Sequence, residues 1–371
     1  MSLFNFGSKS KLGIDIGTAS IKIVEMETSG RFKLKNYGLF ELKSEDESLS
    51  LSNSNIDKNK THVQLSDADI VWGIKETLTR SKIMARDAVA SIQSFSTFAT
   101  VISLPYLSEE EIAKAVQLEA KKYVPLALSE VILDWSIVNA STDTIAAANA
   151  RNKEAGKSVS APLVEVFMVA VPKAETLRYQ NIIRQAGLNL RALEIENAAL
   201  IRSVIGNDQS PTAIINIGGR STSILIIDRG IERLSRNYEV GGFEITKSIA
   251  RAMNVDLKRA EELKRSLGLI KETSNTARQV MSSLVDLIVF EARKTIHNYE
   301  DARSIKIDKI FLVGGLANMP GFFDYFKEKL NSDISLGNPL ARIVIPPELA
   351  PIRPELNSTF SVALGLAMRN I

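Results

Sequence analysis

The sequence predicts an α/β protein built from two related halves, with a smaller α+β subdomain inserted into the first half. Three observations favour this fold class. A strand, a turn of small residues and two more strands open the chain, and the same order returns about 200 residues later. The third observation is a later apolar strand, near residue 310, that runs into two glycines. Two such halves, each covered by helices, would face each other across a cleft.

Composition excludes several classes of function. The 371 residues are 45% hydrophobic and 24% charged, which is typical of a folded protein of two or three domains. The net charge of +3 is too small to favour a nucleic-acid partner. The chain has no cysteine, so disulfides and thiolate sites are excluded. Its two histidines, His62 and His297, accompany no hydrolase or zinc motif.

No apolar run reaches the length of about 18 residues that a membrane span needs. The first residues also lack the apolar segment of a secretory signal. We therefore expect a cytoplasmic protein that meets a membrane only through its partners.

Local patterns place the elements in order. Apolar alternation predicts three strands over 12–16, 21–27 and 33–42, then a polar loop over 44–67 and a helix over 67–82. In the second half, the same patterns predict strands over 211–217, 222–228 and 231–238, with helices from Gly242 onward. The similarity of these two series defines the two halves.

The inserted subdomain, called the inset below, is recognised by a capped helix. Ser108 and Glu111 have the spacing of a capping box, and the apolar stripe that follows predicts a helix ending near Pro125. Strands are predicted on either side of it, over 97–104 and 131–138, and the polar stretch 139–161 is predicted to be an exposed loop. The predicted parts of the chain are 1–84 (half one), 85–172 (inset), 173–210 (return to half one and a connecting helix), 211–355 (half two) and 356–371 (closing helix).

The turn between the first two strands of each half has the composition of a phosphate-binding turn. Glycine and small hydroxyl residues let several backbone N–H groups point at one anion. Asp15, at the end of the first strand, can hold a hydrated Mg²⁺, and Lys22 can lie across the β- and γ-phosphates. The predicted phosphate-contacting residues are Gly17, Thr18, Ala19 and Ser20 in the first turn and Gly218, Gly219, Arg220 and Ser221 in the second.

The late strand over 308–313 leads into Gly314 and Gly315. A backbone without side chains at this point lets a flat base pack against it. Leu316 and Asn318 follow in the same loop and are included in the predicted nucleotide site.

The order of these motifs resembles the superfamily of actin, Hsp70 and sugar kinases. The resemblance implies ATP with Mg²⁺ between the halves. It also implies contacts of Glu261 and Lys264 with the ribose and base, a first connecting helix over 194–200, and a closing helix over 360–368. Glu196 in the connecting helix is the implied acidic candidate beside Asp15.

One position departs from the superfamily pattern. Asn216 stands where the superfamily usually has an aspartate that assists the metal and the attacking water. An amide removes one negative charge and one base. We therefore expect ATP binding with slow or absent hydrolysis, and Asp15, Glu196 and Asn216 are candidates rather than an assigned catalytic set.

Within the superfamily, the inset resembles that of the PilM family of type IV pilus assembly proteins. The matching features are the capped helix at 108–111, the stretch 119–125 ending in Tyr-Val-Pro, Asp134 followed by Trp135, and a short basic leader before Leu12. The cell-division protein FtsA shares the inset position but carries a C-terminal amphipathic membrane helix. This sequence ends at Ile371 directly after the predicted closing helix, and we therefore expect the PilM family.

This resemblance implies a scaffold rather than an enzyme. Such a scaffold binds the N-terminal cytoplasmic tail of the membrane protein PilN, lies at the inner membrane through that partner, and serves pilus assembly and twitching motility, with pilus motor ATPases as further partners. The alternatives are an FtsA-like filament protein of cell division and a sugar or small-molecule kinase. The predicted tail groove lies between the inset and half one, with Val116, Glu119 and Tyr123 as its first candidates.

Overall fold

The computed structural model describes residues 10–41, 66–105, 107–139, 163–271 and 276–370. Most of the two predicted polar loops, 44–67 and 139–161, lies outside the described residues, as does His62. In the part of the chain that is described, none of the helices combines the length and the apolar character needed to cross a bilayer.

The strands and helices follow the predicted order closely. The strands are β1 (Ser10–Ile16), β2 (Ser20–Glu27), β3 (Lys33–Glu41), β4 (Asp87–Ile92), β5 (Phe98–Pro105), β6 (Val131–Asn139), β7 (Leu163–Pro172), β8 (Asn189–Ile195), β9 (Thr212–Ile217), β10 (Thr222–Asp228), β11 (Ile231–Tyr238), β12 (Lys309–Val313) and β13 (Ile334–Leu336). The helices are α1 (Asp67–Arg80), α2 (Glu109–Tyr123), α3 (Lys173–Gln185), α4 (Glu196–Val204), α5 (Gly242–Met253), α6 (Leu257–Leu267), α7 (Thr276–Arg303), α8 (Phe322–Leu330), α9 (Arg353–Thr359) and α10 (Ser361–Ala367).

Each half is built on a five-stranded mixed sheet. The strand order is β3-β2-β1-β4-β8 in half one and β11-β10-β9-β12-β13 in half two. In both sheets an antiparallel three-strand unit comes first, and parallel strands then extend it. The two sheets therefore have the same topology, as the repeated sequence pattern predicts.

The inset is a three-stranded antiparallel sheet, β5-β7-β6, covered by α2. Its apolar core consists of residues of the inset itself, with Ile112, Val116 and Ala120 of α2 packed against the sheet. The capping box of Ser108 and Glu111 is present, and α2 ends at Tyr123, two residues before Pro125. However, β4 pairs with β1 and β8 of half one, so the inset begins after Ile92 rather than at residue 85.

Helices α4 and α10 lie between the two sheets. Leu200 of α4 and Leu366 of α10 share one core with Val89 of half one and Leu225 of half two. A second core joins the start of half one to the closing helix, because Val24, Met26 and Leu34 pack with residues 340–368. The closing helix thus packs against both halves.

Candidate functional site

The first predicted phosphate turn joins β1 to β2. Its geometry is tight, because Gly17 N donates to Ser20 O over 3.0 Å. The antiparallel register places Asp15 directly opposite Lys22, and Lys22 Nζ lies 3.2 Å from Asp15 Oδ2. Both side chains are largely buried. The predicted carboxylate and lysine are therefore a cross-strand pair at the mouth of the turn.

The second turn repeats this geometry between β9 and β10. Gly218 N donates to Ser221 O over 2.9 Å. The two turns touch, since a Cβ added to Gly219 would lie 2.4 Å from the Cβ of Ala19. A side chain at residue 219 would push the turns apart. Arg220 stacks its guanidinium over the ring of Phe243, 4.5 Å from the centroid.

The start of α5 closes against the second turn. Gly242 N donates to Gly218 O over 3.1 Å, and Phe243 N donates to Gly219 O over 2.6 Å. A Cβ on Gly241 would lie 2.7 Å from both carbonyl oxygens, so the contact requires a glycine there. Sequence reasoning missed this contact, although two glycines directly before a helix were a visible signal.

Glu261 and Lys264 lie together on α6 and face α5. Lys264 Nζ is 2.6 Å from Glu261 Oε2 and also donates to Gly242 O over 3.0 Å. Burial lowers the pKa of Lys264 although Glu261 opposes this effect. Burial would raise the pKa of Glu261, but the charge and hydrogen bond of Lys264, with the hydrogen bonds of Thr246 and Arg265, lower it. The pair thus lies beside the start of α5, which contacts the second turn, and its contact with a ribose and base stays a prediction.

The same cluster reaches across to half one. Arg265 donates to Glu261 Oε1 over 2.8 Å and to Glu41 Oε1, at the end of β3, over 2.9 Å. Half one and half two are therefore also joined by an exposed ion pair at the rim of the cleft.

The two glycines after β12 have different surroundings. Gly314 has a φ of +98°, and an added Cβ would lie 2.2 Å from Ile217 O in the strand that enters the second turn. Gly315 has open space around its position, with no heavy atom within 4 Å of an added Cβ. Leu316 lies near Gly242, but the Asn318 amide bonds to Thr359 and Ser358 of α9. Asn318 is thus already engaged by the closing part of the chain.

Glu196 begins α4 and is buried near Asp15, whose charge acts on it. Burial, with the Asp15 charge as the next cause, raises the pKa of Glu196 to about 7. Its carboxylate is contacted by Ser94, whose hydroxyl lies 3.3 Å from Glu196 Oε1 and 3.2 Å from Asn237 Oδ1 of half two. A carboxyl group that changes charge near neutral pH suits proton transfer.

Gln93 and Ser94 are site residues that sequence reasoning missed. Gln93 Nε2 donates to Ile16 O, directly before the first turn, over 2.8 Å. Both residues follow β4, which runs parallel to β1, so their position at the carboxyl ends of the strands was the available signal.

Asn216 lies in β9 two residues before the second turn and pairs with Ser223 and Val313.

The three predicted groove residues have different positions. Val116 is fully buried in the inset core, so a surface peptide cannot contact it. Glu119 pairs with Lys122 over 2.6 Å, and Tyr123 is half exposed. The buried stripe of α2 thus includes Val116, while Glu119 and Tyr123 lie along its flank.

The inset also contacts a surface that the sequence did not predict. We expected its helix and strands to face half one, because both of its ends attach there. The structure shows that β5 lies beside β11 of half two, and Arg233 Nη1 of β11 is 2.6 Å from Glu165 Oε2 of β7. The points of attachment fix where the inset begins, but they do not fix the surface against which it packs.

These residues fit a polyphosphate better than a metal held by the protein alone. The two turns meet at Ala19 and Gly219, Lys22 lies beside Asp15 at the first of them, and a side chain added at Gly315 would meet open space. Among the described residues, no three His, Cys, Asp or Glu side chains form a group that could hold a metal ion. A Mg²⁺ ion would therefore be held by phosphate oxygens, water and Asp15.

A family model decides the assignment. The model described as type IV pilus assembly protein PilM matches residues 13–371. The chain belongs to the PilM family. A solved structure described as the PilM-PilN type IV pilus biogenesis complex is similar over 97% of this chain and 98% of that chain, with 21% identity and a TM-score of 0.77.

Other relatives place this PilM family member within the actin-like fold. MreB 5 of Spiroplasma citri bound to AMPPNP is 14% identical over 96% of this chain and 95% of that chain, with a TM-score of 0.52. FtsA of Bacillus subtilis is 23% identical over 181 residues, which are 42% of this chain and 41% of FtsA. The chain therefore spans less than half the length of this curated relative. The predicted fold class, two actin-like halves with an inset, is confirmed.

Proposed function

We propose that this PilM family member is an ATP-binding scaffold of the type IV pilus assembly platform, which binds a PilN-like cytoplasmic tail and is held at the inner membrane by that partner. The observation that supports nucleotide binding is the pair of facing turns, joined through Gly219 and Ala19 and flanked by Asp15 and Lys22. The likeness to the PilM-PilN complex supports the partner. Motor ATPases remain further proposed partners.

We expect ATP with Mg²⁺ to raise the melting temperature of the protein. At a ligand concentration of 100 times Kd, binding to the folded state contributes about 2.7 kcal/mol. Lys22→Ala removes a cation from the first turn and is expected to lose most of this shift. Lys306→Ala is the matched control, because Lys306 is exposed and pairs only with Glu300 in the described structure. An equal shift in both variants, or none from ATP or ADP in the unmodified protein, would contradict the nucleotide site.

Hydrolysis is expected to be slow because residue 216 is an amide. Asn216→Asp places a carboxylate at the end of β9, beside the second turn, and should increase phosphate release by about tenfold or more if it acts as a base. Single-turnover phosphate release measures this change. Robust multiple-turnover hydrolysis by the unmodified protein would instead favour an enzyme, and phosphate transfer to a sugar would favour the kinase alternative.

The tail groove is proposed between the segment that follows α2 and the start of α3. Lys173 Nζ at the start of α3 donates to Ser129 O over 2.7 Å, so the segment after α2 lies against half one. Tyr123, Leu126 and Ile132 in this segment are exposed apolar side chains. In the described structure β6 is an edge of the inset sheet, and its unpaired backbone groups can bind an extended peptide.

Tyr123→Ala is therefore expected to weaken binding of the PilN tail peptide from the same organism by about tenfold or more, as for a buried aromatic anchor. Leu118→Ala is the control, since Leu118 is exposed on α2 and lies more than one turn before the end of the helix. Titration calorimetry with both variants measures the effect. Unchanged affinity for Tyr123→Ala, with lost affinity for changes within 242–267, would move the groove to half two.

A further inference from the structure

The inset is attached to one half and held by the other. Covalently, it leaves half one after β4 and returns directly into α3. Non-covalent contacts hold it to half two, because β5 lies beside β11 and Glu165 of β7 forms an ion pair with Arg233 of β11. Because the inset has its own apolar core, it moves as one body.

Glu165 belongs to a cluster of ion pairs with half two. Arg233 is only 7% exposed in its side chain, and it is held from the other side by Asp228 at 3.7 Å. Glu165 also lies 3.8 Å from Arg303 at the end of α7, again in half two. Separating Glu165 from this buried arginine removes its shorter ion pair and leaves only the longer one to Asp228, which costs more than the loss of an exposed ion pair. Movement of half two therefore favours movement of Glu165 with it.

A second contact joins the entry of the inset to the nucleotide site. Ser94 lies four residues before β5, and its hydroxyl is shared between Glu196 in the cleft and Asn237 of β11. Asn237 pairs with Ser223 of β10, the strand that leaves the second phosphate turn. The short turn Ser94–Ser96, called the Ser94 turn below, thus contacts half one and half two at the start of the inset.

We propose that the Glu165–Arg233 ion pair and the Ser94 turn make the inset follow half two, so that nucleotide in the cleft changes the position of the inset relative to half one. This inference rests on the proposed nucleotide function and adds its regulation. A nucleotide held by both turns fixes half two against half one. Because the ion pair holds β7 against half two, β7 moves with half two. The proposed tail groove lies between the inset and half one, so it changes with nucleotide.

The test is hydrogen exchange of the full chain, measured by mass spectrometry with and without ATP and Mg²⁺. In the unmodified protein, ATP is expected to change amide exchange in β5 and β7 by about threefold or more. Glu165→Gln should reduce this change to below about twofold, while ATP still raises the melting temperature. Glu165 is partly exposed, so the glutamine variant is compatible with folding.

Glu175→Gln is the matched control. Glu175 forms an ion pair with Arg178 at 3.4 Å within α3 of half one, so its loss should leave the inset response intact. An identical response in Glu165→Gln and the unmodified protein overturns the inference, as does an unchanged inset when ATP raises the melting temperature. Absence of any ATP effect on melting overturns the nucleotide function itself, and the inference with it.

Discussion

Replacing Gly314 by alanine is expected to destabilise the protein by about 3 kcal/mol or more and to abolish nucleotide binding. The backbone of Gly314 has a φ of +98°, which side chains disfavour, and an alanine Cβ would lie 2.2 Å from Ile217 O. The obstructing atom is backbone, so only a shift of β9 or of the loop relieves the overlap. Because β9 enters the second turn, that shift displaces the phosphate site. Chemical denaturation and ATP titration measure the two effects.

Gly315→Ala is the neighbouring control. Apart from its chain neighbours, no heavy atom of the described residues lies within 4 Å of its added Cβ, so we expect the free energy of unfolding without nucleotide to change by less than about 0.5 kcal/mol. The same methyl group enters the space proposed for the base and should reduce the ATP-dependent rise in melting temperature. Equal stability of the Gly314 and Gly315 variants would contradict the packing argument, and an unchanged ATP effect in the Gly315 variant would contradict the base position.

Replacing Glu232 by glutamine is expected to stabilise the protein at pH 8 and to leave it almost unchanged at pH 4.5. Glu232 is buried between β11 and α4, and this burial raises its pKa to about 7 from an ordinary value of 4.5. The folded protein therefore holds a proton that the unfolded chain loses between these values, so unfolding becomes easier as pH rises from 4.5 to 7. A shift of this size corresponds to roughly 3 kcal/mol, which the neutral side chain recovers above pH 7.

The glutamine amide also supplies an N–H donor close to a buried acceptor, Asn197 Oδ1. Asn197 Nδ2 donates to Glu232 Oε2 over 2.9 Å, while among the described residues the buried Asn197 Oδ1 has no hydrogen-bond partner. Urea denaturation at pH 4.5 and pH 8 measures the pH dependence. Glu262→Gln on the exposed face of α6 is the control and should change little at either pH. A gain of equal size at both pH values would indicate improved packing rather than removal of a buried charge.

The sequence was sufficient for features set by neighbours along the chain. The β1–β2 hairpin was predicted from its strand pattern and small-residue turn, and its register in the structure places Asp15 opposite Lys22. The capping box at Ser108 is equally local, and the repeated units imply the two matching sheets.

Features set by packing between distant segments were not predictable. Glu232 and Asn197 come from separate halves, and no pattern in either segment indicates the other. Ser94 likewise acquires its role only when α4 and β11 meet above it. The stripe on α2 shows an amphipathic helix, but only the structure separates buried Val116 from exposed Tyr123, because the width of the stripe depends on the inset sheet.

The shared core of the first strands and the closing helix has a consequence for synthesis. On the ribosome, Val24, Met26 and Leu34 emerge long before Leu340, Phe360 and Leu364, which cover them in the folded protein. The inset, whose core is its own, can fold during translation. Half one cannot complete its packing until residues 340–368 leave the exit tunnel, so a nascent chain stalled near residue 330 would expose this apolar surface to chaperones.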